Sequence, residues 1–493
     1  MAESLKKGAV GPVDYYRWTE SNGQGGVKVQ LLRSDSHDLD ILLGEPKRAV
    51  RSMFTPFLVA FAIIEANQFI DTFWISGLGT SSASAISTII PFYVLLMCAG
   101  IGISVGATTS VAFRIGRGET EQASKLASNA LILGIGLSVL ASAILLLLLD
   151  PAIDVLGVGP IREEIWNYML PLILMNAPMT LLTILAGNLR GEGAARKSTV
   201  VQISSALLNM VLDPLFIYAM GTGIFGAGLA TGLSALIALI LGLSWYIRRK
   251  TLLRIDRSSL RLDPGMMREV MTVGGPRTVN ELIASAMTFI QRIFFVVAGG
   301  TAAVLMYNYP WRFISVFNLP GRAFENSLIP VGSAALGQGD TDKLWSAYLY
   351  CFKLTALVSV AAMIIVFVFA EPLMSIMTYE ESMHLMLDKL VWCLELSSIM
   401  LPFMALRGVG AALLQAMKKA KIPMYFDLFW GSTRMVLYAL SAYGLLGVDP
   451  FDGIIYIMVT VYSLSGVIMN ALAVWQFRKL RLSTCARSYS PLL

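Results

Sequence analysis

About twelve apolar segments succeed one another along this chain, each long enough to cross roughly 30 Å of hydrocarbon as a helix. Their limits read as Phe54–Ile75, Ile86–Val111, Leu126–Leu149, Ile165–Ala186, Val200–Met220, Ala227–Ile247, Met271–Val297, Ala303–Ile329, Ala347–Phe369, Met386–Leu406, Tyr425–Leu446 and Ile454–Trp475. Lipid offers no partner to a backbone N–H or C=O, so such spans fold as helices that satisfy themselves. The expected fold is an all-α membrane protein of about twelve transmembrane helices. Composition agrees, because 56% hydrophobic and 14% charged residues leave more apolar surface than a soluble chain of 493 residues can bury.

The charges between the spans set the topology. Lys47, Arg48 and Arg51, then Arg114, Arg117 and Lys125, then Arg190, Arg196 and Lys197 fall on one side. The run Arg248, Arg249, Lys250, Arg254, Arg257, Arg261 continues the series, as do Lys418, Lys419, Lys421, Arg478, Lys479 and Arg481. Asp150, Asp154, Glu163, Glu164, Glu380, Glu381, Asp449 and Asp452 occupy the other side, with Arg162 the exception. An excess of Lys and Arg marks the cytoplasmic face, so both termini are expected there, in a multi-pass protein of the plasma membrane. The net charge of +6 comes in short clusters rather than one stripe, which argues against a nucleic-acid partner. Residues before 47 lack the short apolar core of a cleaved signal and read as a cytoplasmic tail with a short amphipathic piece. Cys98, Cys351, Cys393 and Cys485 are scattered, and His37 and His384 are too few for a metal centre, so neither a disulfide nor a metal site is expected.

Two halves echo each other across the basic connector. Met210–Asp213 recurs as Met435–Tyr438, 225 residues on. Gly116-Arg117-Gly118-Glu119 answers Gly337-Gln338-Gly339-Asp340, and Gly79-Thr80 answers Gly300-Thr301, both at a shift of 221. A duplicated unit of six spans keeps its orientation, so two pseudo-symmetric six-helix lobes around a central cavity are expected. The division reads as a tail over 1–46, a first lobe over 47–247, a connector over 248–268, a second lobe over 269–480 and a tail over 481–493.

Chemistry concentrates in the first half. Asn209 and Asp213 lie four residues apart in an apolar segment and so share a helix face. Pro214 cannot donate a backbone N–H, which frees the carbonyl of Met210 one turn earlier. Asp71 ends the first span, and Thr231 in the sixth adds a hydroxyl. Two carboxylates in a poorly solvated site raise each other's pKa, which suits uptake of H+ or capture of Na+. The repeat shifts carry Asp71 onto Arg292 and Asp213 onto Tyr438, so the acidic pair belongs to the first lobe alone. Tyr168 and Trp166 are aromatic surfaces nearby in sequence order, Gln68 flanks Asp71, and Glu65 lies on another face of the same span.

The second half carries Arg277, Glu281, Arg292, Arg312, Arg322, Glu325, Lys353, Glu395, Arg407, Asp427 and Arg434 within or near its spans. Basic residues outnumber acidic ones, which suits an anionic or zwitterionic ligand better than a simple cation. No nucleophile elbow, phosphate-binding loop, dinucleotide fingerprint or HExxH occurs, so an enzyme is not expected and the energy source is an ion gradient.

The run Ile70-Asp71-Thr72-Phe73-Trp74-Ile75-Ser76-Gly77-Leu78-Gly79, with Leu189-Arg190-Gly191 and Leu208-Asn209 through Asp213-Pro214, resembles the multidrug and toxic compound extrusion (MATE) family, in its archaeal and DinF-like branch. The resemblance covers about residues 45–480. It implies alternating access and ion-driven export of amphipathic organic compounds. An ion site at Asp71, Asn209, Asp213, Thr231 and the carbonyl of Ala227 goes with it, beside Tyr168 and with Pro56 as a bend in the first helix. The substrate cavity is expected at Gln68, Tyr168, Glu281, Arg292 and Arg312. The acid found in the seventh helix of another branch would fall near Ala284, with Glu281 one turn away. The expected cofactor is none beyond the coupling H+ or Na+, the partners are a small amphipathic substrate and membrane lipid, and the unit is a monomer. A flippase for an anionic lipid or lipid-linked precursor of the wider superfamily is the alternative, if Arg277, Arg292, Arg312, Arg322 and Arg434 converge.

Overall fold

The structure, a computed structural model, describes residues 16–17, 30–31, 37–255, 259, 261–376 and 386–489. Most of the tail expected before residue 47 lies outside the described residues, as do Arg257, Glu380, Glu381 and His384. A two-residue antiparallel pair, Tyr16–Arg17 with Gln30–Leu31, precedes the helices. Helix α1 (His37–Leu43) is the amphipathic piece of the tail, and it is docked. Leu39, Leu42 and Leu43 are buried, and the Leu43 carbonyl accepts from Gln338 Nε2 at 3.3 Å and Lys343 Nζ at 3.2 Å.

The first half then folds as α2 (Pro46–Ser76), α3 (Thr80–Gly116), α4 (Thr120–Leu156), α5 (Arg162–Leu174), α6 (Asn176–Gly191), α7 (Ala195–Pro214) and α8 (Gly223–Ile247). The second half folds as α9 (Pro264–Phe317), α10 (Leu319–Gly337), α11 (Thr341–Val368), α12 (Ala370–Ser375), α13 (Leu387–Ser398), α14 (Leu401–Ala416), α15 (Lys421–Ala442) and α16 (Pro450–Tyr489). Among the described residues nine helices are long and apolar enough to cross a bilayer, and α5 with α6, bent by 52°, makes a tenth crossing. Non-helical Gly299 and Gly300 divide α9 into two crossings. Helix α15 completes twelve, although Lys421, Asp427 and Arg434 make it less apolar than the rest.

The halves match in backbone as well as sequence. Gly79 and Gly300, which turn the chain between consecutive crossings, have φ of +97° and +64°, a region closed to most side chains. The bent crossing at Met175 has its counterpart at Ile399 and Met400, between α13 and α14. A Cβ on Gly116 would collide with the carbonyl oxygen of Ala334, and one on Gly337 with that of Phe113. Those two contacts are one contact under the 221-residue shift, so a pseudo-twofold axis passes between α3 and α10. Small residues let the two backbones touch there, as helices do in lipid.

The lobes meet on the side that bears the basic connections. Glu269 on α9 accepts from Arg114 Nη2 at 2.6 Å and from Lys418 Nζ at 2.9 Å, and that ammonium lies 3.8 Å from the Phe113 ring centroid. Lys418 holds φ at +59°, a strained conformation for a side-chain-bearing residue and one that its two partners keep in place. The connector is pinned to the first lobe. Glu192, 1% exposed, accepts from the Leu253 amide at 2.9 Å, and Lys197 Nζ donates to the Lys250 carbonyl at 2.6 Å. Burial pushes the Glu192 carboxyl from 4.5 up to about 8, against the pull of the Leu253 amide and the Lys197 charge.

Candidate functional site

Helices α2 and α7 pack side by side in the first lobe and bring four polar side chains into one chain of hydrogen bonds. Asn67 Nδ2 donates to Asp71 Oδ2 at 2.9 Å and to Asn209 Oδ1 at 3.0 Å, and Asn209 Nδ2 donates to Asp213 Oδ1 at 3.0 Å. Asn209 and Asp213 are 4% and 2% exposed, so the group sits in the protein interior rather than at a wet helix end. The Asp71 and Asp213 carboxyls also lie within hydrogen-bonding range of one another. Two carboxylates that close repel each other out of water, a repulsion that a proton or a cation between them would relieve.

Local structure explains the placement. Asn67 and Asp71, like Asn209 and Asp213, are four residues apart, so each pair stacks on one face of its own helix. Beyond Asp213, Pro214 ends the regular α-helical bonding and Leu215–Ala219 continues as a π turn, a geometry frequent at functional sites. Tyr218 then donates to the Trp74 carbonyl at 2.6 Å, tying the far ends of α7 and α2 together. Tyr93 and Tyr168 stand within electrostatic reach of Asp71, and their hydroxyls give the pair a polar border.

The remaining expected residues divide. Thr231 Oγ1 donates to the Ala227 carbonyl at 3.1 Å, so these two are joined to each other along α8 rather than to the carboxyls. Pro56 lies inside α2, which continues through it. Gln68 is exposed on α2. Trp166 Nε1 donates to Asp150 at 2.9 Å beside Arg162, which places it in the interfacial cluster of that face. Asn67 is the residue that the sequence reading passed over. Its signal was present, since Asn67-x-x-x-Asp71 repeats the spacing of Asn209-x-x-x-Asp213.

The second lobe encloses a cavity of about 320 Å³ between α9, α10, α14, α15 and α16. Arg277, Glu281, Glu325, Arg407, Asp427 and Arg434 supply its charges. Arg292 is absent from the lining, while the Arg312 and Arg322 guanidiniums lie 5.2 Å and 5.0 Å from the Phe69 and Phe61 rings of α2. Those two arginines therefore brace the lobes against each other by cation–π contact. Among the described residues no cluster of ligands for a metal of the His, Cys and acid type occurs, and Cys98, Cys351 and Cys393 are free.

Comparison with known proteins bears on the whole chain. The MatE family model matches residues 56–215 and 276–440, one stretch in each lobe. A protein of Shewanella oneidensis named FAD transporter is 28% identical over 344 residues, covering 67% of this chain and 74% of its own. A Bacillus subtilis protein named probable multidrug resistance protein YoeA is 22% identical over 354 residues, covering 69% of this chain and 75% of its own. Among solved structures, the outward-facing conformation of a multidrug resistance MATE family transporter of the MOP superfamily superposes with a TM-score of 0.86 at 23% identity, over 90% of this chain and 99% of that one.

Proposed function

This chain belongs to the MatE family of membrane transporters, and from that premise we propose that it is a secondary antiporter, driven by H+ or Na+, that exports amphipathic organic compounds. It is a multi-pass transporter and not an enzyme. The observation that carries the coupling is the pairing of half-buried Asp71 with buried Asp213 in the first lobe, held by Asn67 and Asn209. An ion between the two carboxyls draws α2 and α7 together, and its departure leaves two like charges to separate. Swinging an access equilibrium from 1:99 to 99:1 takes about 5.5 kcal/mol of differential binding, a scale that a desolvated carboxyl pair supplies. The lobes touch where Gly116, Gly337, Glu269 and Lys418 meet, on the basic side. With that side as the cytoplasmic one, the described state is closed to the cytoplasm, both termini are cytoplasmic and the host membrane is the plasma membrane. A monomer contains the whole apparatus.

A lipid flippase draws support from the basic groups of the second lobe, but it asks for arginines that converge. Arg312 and Arg322 are instead spent on the rings of α2. The test is dye efflux from proteoliposomes under an imposed pH or Na+ gradient, with cationic, zwitterionic and anionic dyes, wild type beside Asp213→Asn. Gradient-driven efflux of any dye by wild type, lost in the variant, is the expected result. Folded wild-type protein that moves none of the dyes under either gradient would sink the antiporter.

A further inference from the structure

The second lobe holds, at the place where the first lobe holds carboxylates, the opposite charge. A shift of 225 residues carries Asn209 onto Arg434 and Asp213 onto Tyr438, and a shift of 221 carries Asp71 onto Arg292. Arg434 lies 13 residues into the 22-residue helix α15. At 1.5 Å per residue that is roughly 20 Å from the helix start and about 12 Å from its end, too deep for the head to reach either membrane surface comfortably. An arginine at such depth persists where it faces a partner or a watered cavity.

The other arginines of the cavity have carboxylate partners of their own. Arg277 pairs with Glu281 at 2.6 Å, and Arg407 pairs with Asp427, which Asn280 Nδ2 also contacts at 2.9 Å. Arg434 has no ion pair among the described residues. Its guanidinium sits 4.6 Å from the Tyr462 ring centroid and 5.8 Å from that of Tyr438, and its Nε is buried without a hydrogen-bond partner. The Tyr438 hydroxyl, on a residue 0% exposed, is buried and unpartnered as well, but it lies in the apolar core behind the cavity lining. A buried donor left unmet is costly, so the Arg434 Nε favours a further acceptor beyond the Tyr462 hydroxyl that the guanidinium already reaches. Trp430, Met287 and Met404 supply the rest of the wall, an aromatic face and two adaptable thioethers.

We propose that this second-lobe cavity is the substrate's seat and that it selects compounds bearing an acidic group, carboxylate or phosphate, beside a flat ring, with Arg434 as the anion-recognising residue. The proposal rests on the transport reading above and narrows its substrate class. A guanidinium gives an acid group directional, charge-assisted bonds that an amphipathic cation cannot use. Glu325 is the other cavity charge without an ion pair among the described residues, so a ligand that also carries a cationic centre has a place for it. The shared chemistry is the acid group, and anion and zwitterion are told apart by the experiment.

Equilibrium binding to purified full-length protein in detergent, with no gradient, reads the proposal separately from ion coupling. Three dyes share one ring system and are followed by fluorescence polarisation: fluorescein, an anion with a carboxylate; rhodamine B, a zwitterion with the same carboxylate; and rhodamine 6G, whose carboxylate is esterified. The carboxylate dyes are expected to bind at least tenfold more tightly than rhodamine 6G. Fluorescein ahead of rhodamine B identifies an anion site, and the reverse order a zwitterion site. Arg434→Gln erases the preference, Arg434→Lys keeps part of it, and Lys125→Gln on the surface leaves it whole. Rhodamine 6G binding as tightly as both others overturns the proposal on wild-type protein alone, as does a preference that survives Arg434→Gln. If Arg434→Gln does not fold, the lysine variant decides: an undiminished preference there, with wild-type affinity for all three dyes, counts against Arg434.

Discussion

The two lobes share a backbone plan and differ in the sign of what they bury. Asp71, Asn209 and Asp213 in the first correspond to Arg292, Arg434 and Tyr438 in the second, while the glycine turn at Gly79 and the lobe contact at Gly116 recur unchanged as Gly300 and Gly337. Duplication therefore kept what closes the helices on each other and released what the lobes hold between them. A carboxyl pair takes a cation, and a guanidinium takes an anion. On the proposed reading, one molecule with both has a place for the driving ion in one lobe and for an acid-bearing cargo in the other.

The sharpest way to break this comparison is Asp213→Asn. It removes the second carboxyl and with it the repulsion that an ion would relieve, so gradient-driven efflux is predicted to fall roughly 100-fold, about 2.7 kcal/mol of coupling. Arg434→Gln, at the second-lobe place of Asn209, is predicted to alter dye affinity and keep the response to the gradient. Proteoliposome flux measured with and without a gradient separates the two, and equal loss of gradient response in both would erase the division of labour between lobes.

The next largest effect concerns what the lobes have in common. Gly337→Val places a branched side chain against the Phe113 carbonyl, and Gly116→Val does the same against Ala334. Each is predicted to hold the lobes apart on the basic side and to slow transport roughly tenfold, about 1.4 kcal/mol. Thiol labelling of a cysteine introduced at Lys418 should rise in both variants. Unequal results would show that the pseudo-twofold contact is not balanced in energy.

Smaller still is Asn67→Ala, which deletes the bond to Asp71 and the bridge to Asn209. A hydrogen bond to a charged group is worth roughly 1.5–3 kcal/mol, part of which water recovers, so about a tenfold weaker apparent affinity for the coupling ion is predicted. Thr288, its counterpart under the 221-residue shift, lines the second-lobe cavity, and Thr288→Ala is expected to leave the ion dependence in place. Flux titrated against H+ or Na+ concentration checks both.

A separate effect, read in stability rather than in flux, is the pH signature that Glu192 gives the first lobe. Glu192 titrates near 4.5 unfolded and about 8 folded, so the folded state holds the extra proton between those values. Its stabilising contribution is complete below 4.5 and is lost as pH rises through about 8. Thermal melts in detergent are predicted to fall across that window in wild type and to flatten in Glu192→Gln. A parallel slope in the variant would assign the pH dependence to other groups.

Much of this was legible in the residues. The twelve spans, the basic side and the duplicated unit follow from hydropathy length, charge asymmetry and spacing, all of them local properties. The pairing of Asn209 with Asp213 was legible for the same reason, since four residues on one helix always share a face. Asn67 had the same spacing from Asp71, and its bridge to Asn209 crosses 142 residues of sequence, which no periodicity reports. The second lobe shows the limit most clearly. Eleven intramembrane charges could be named in order, but Arg407 with Asp427 joins two helices, and Arg312 and Arg322 lie on rings of the other lobe. Gln68, Tyr168, Arg292 and Arg312 stood with Glu281 in the sequence reading of a substrate cavity, whereas the second-lobe cavity is walled by Glu281 with Arg277, Arg407 and Arg434.

The sequence by itself determined where the helical spans lie and about how long they run, because rise per residue and the cost of an unpaired backbone group in lipid depend on the segment alone. Only the tertiary structure decided which charges meet. That depends on how two helices cross and rotate against each other, a matter of side-chain packing summed over the whole interface, and a turn of one helix by a single residue would have sent Arg434 to a different neighbour.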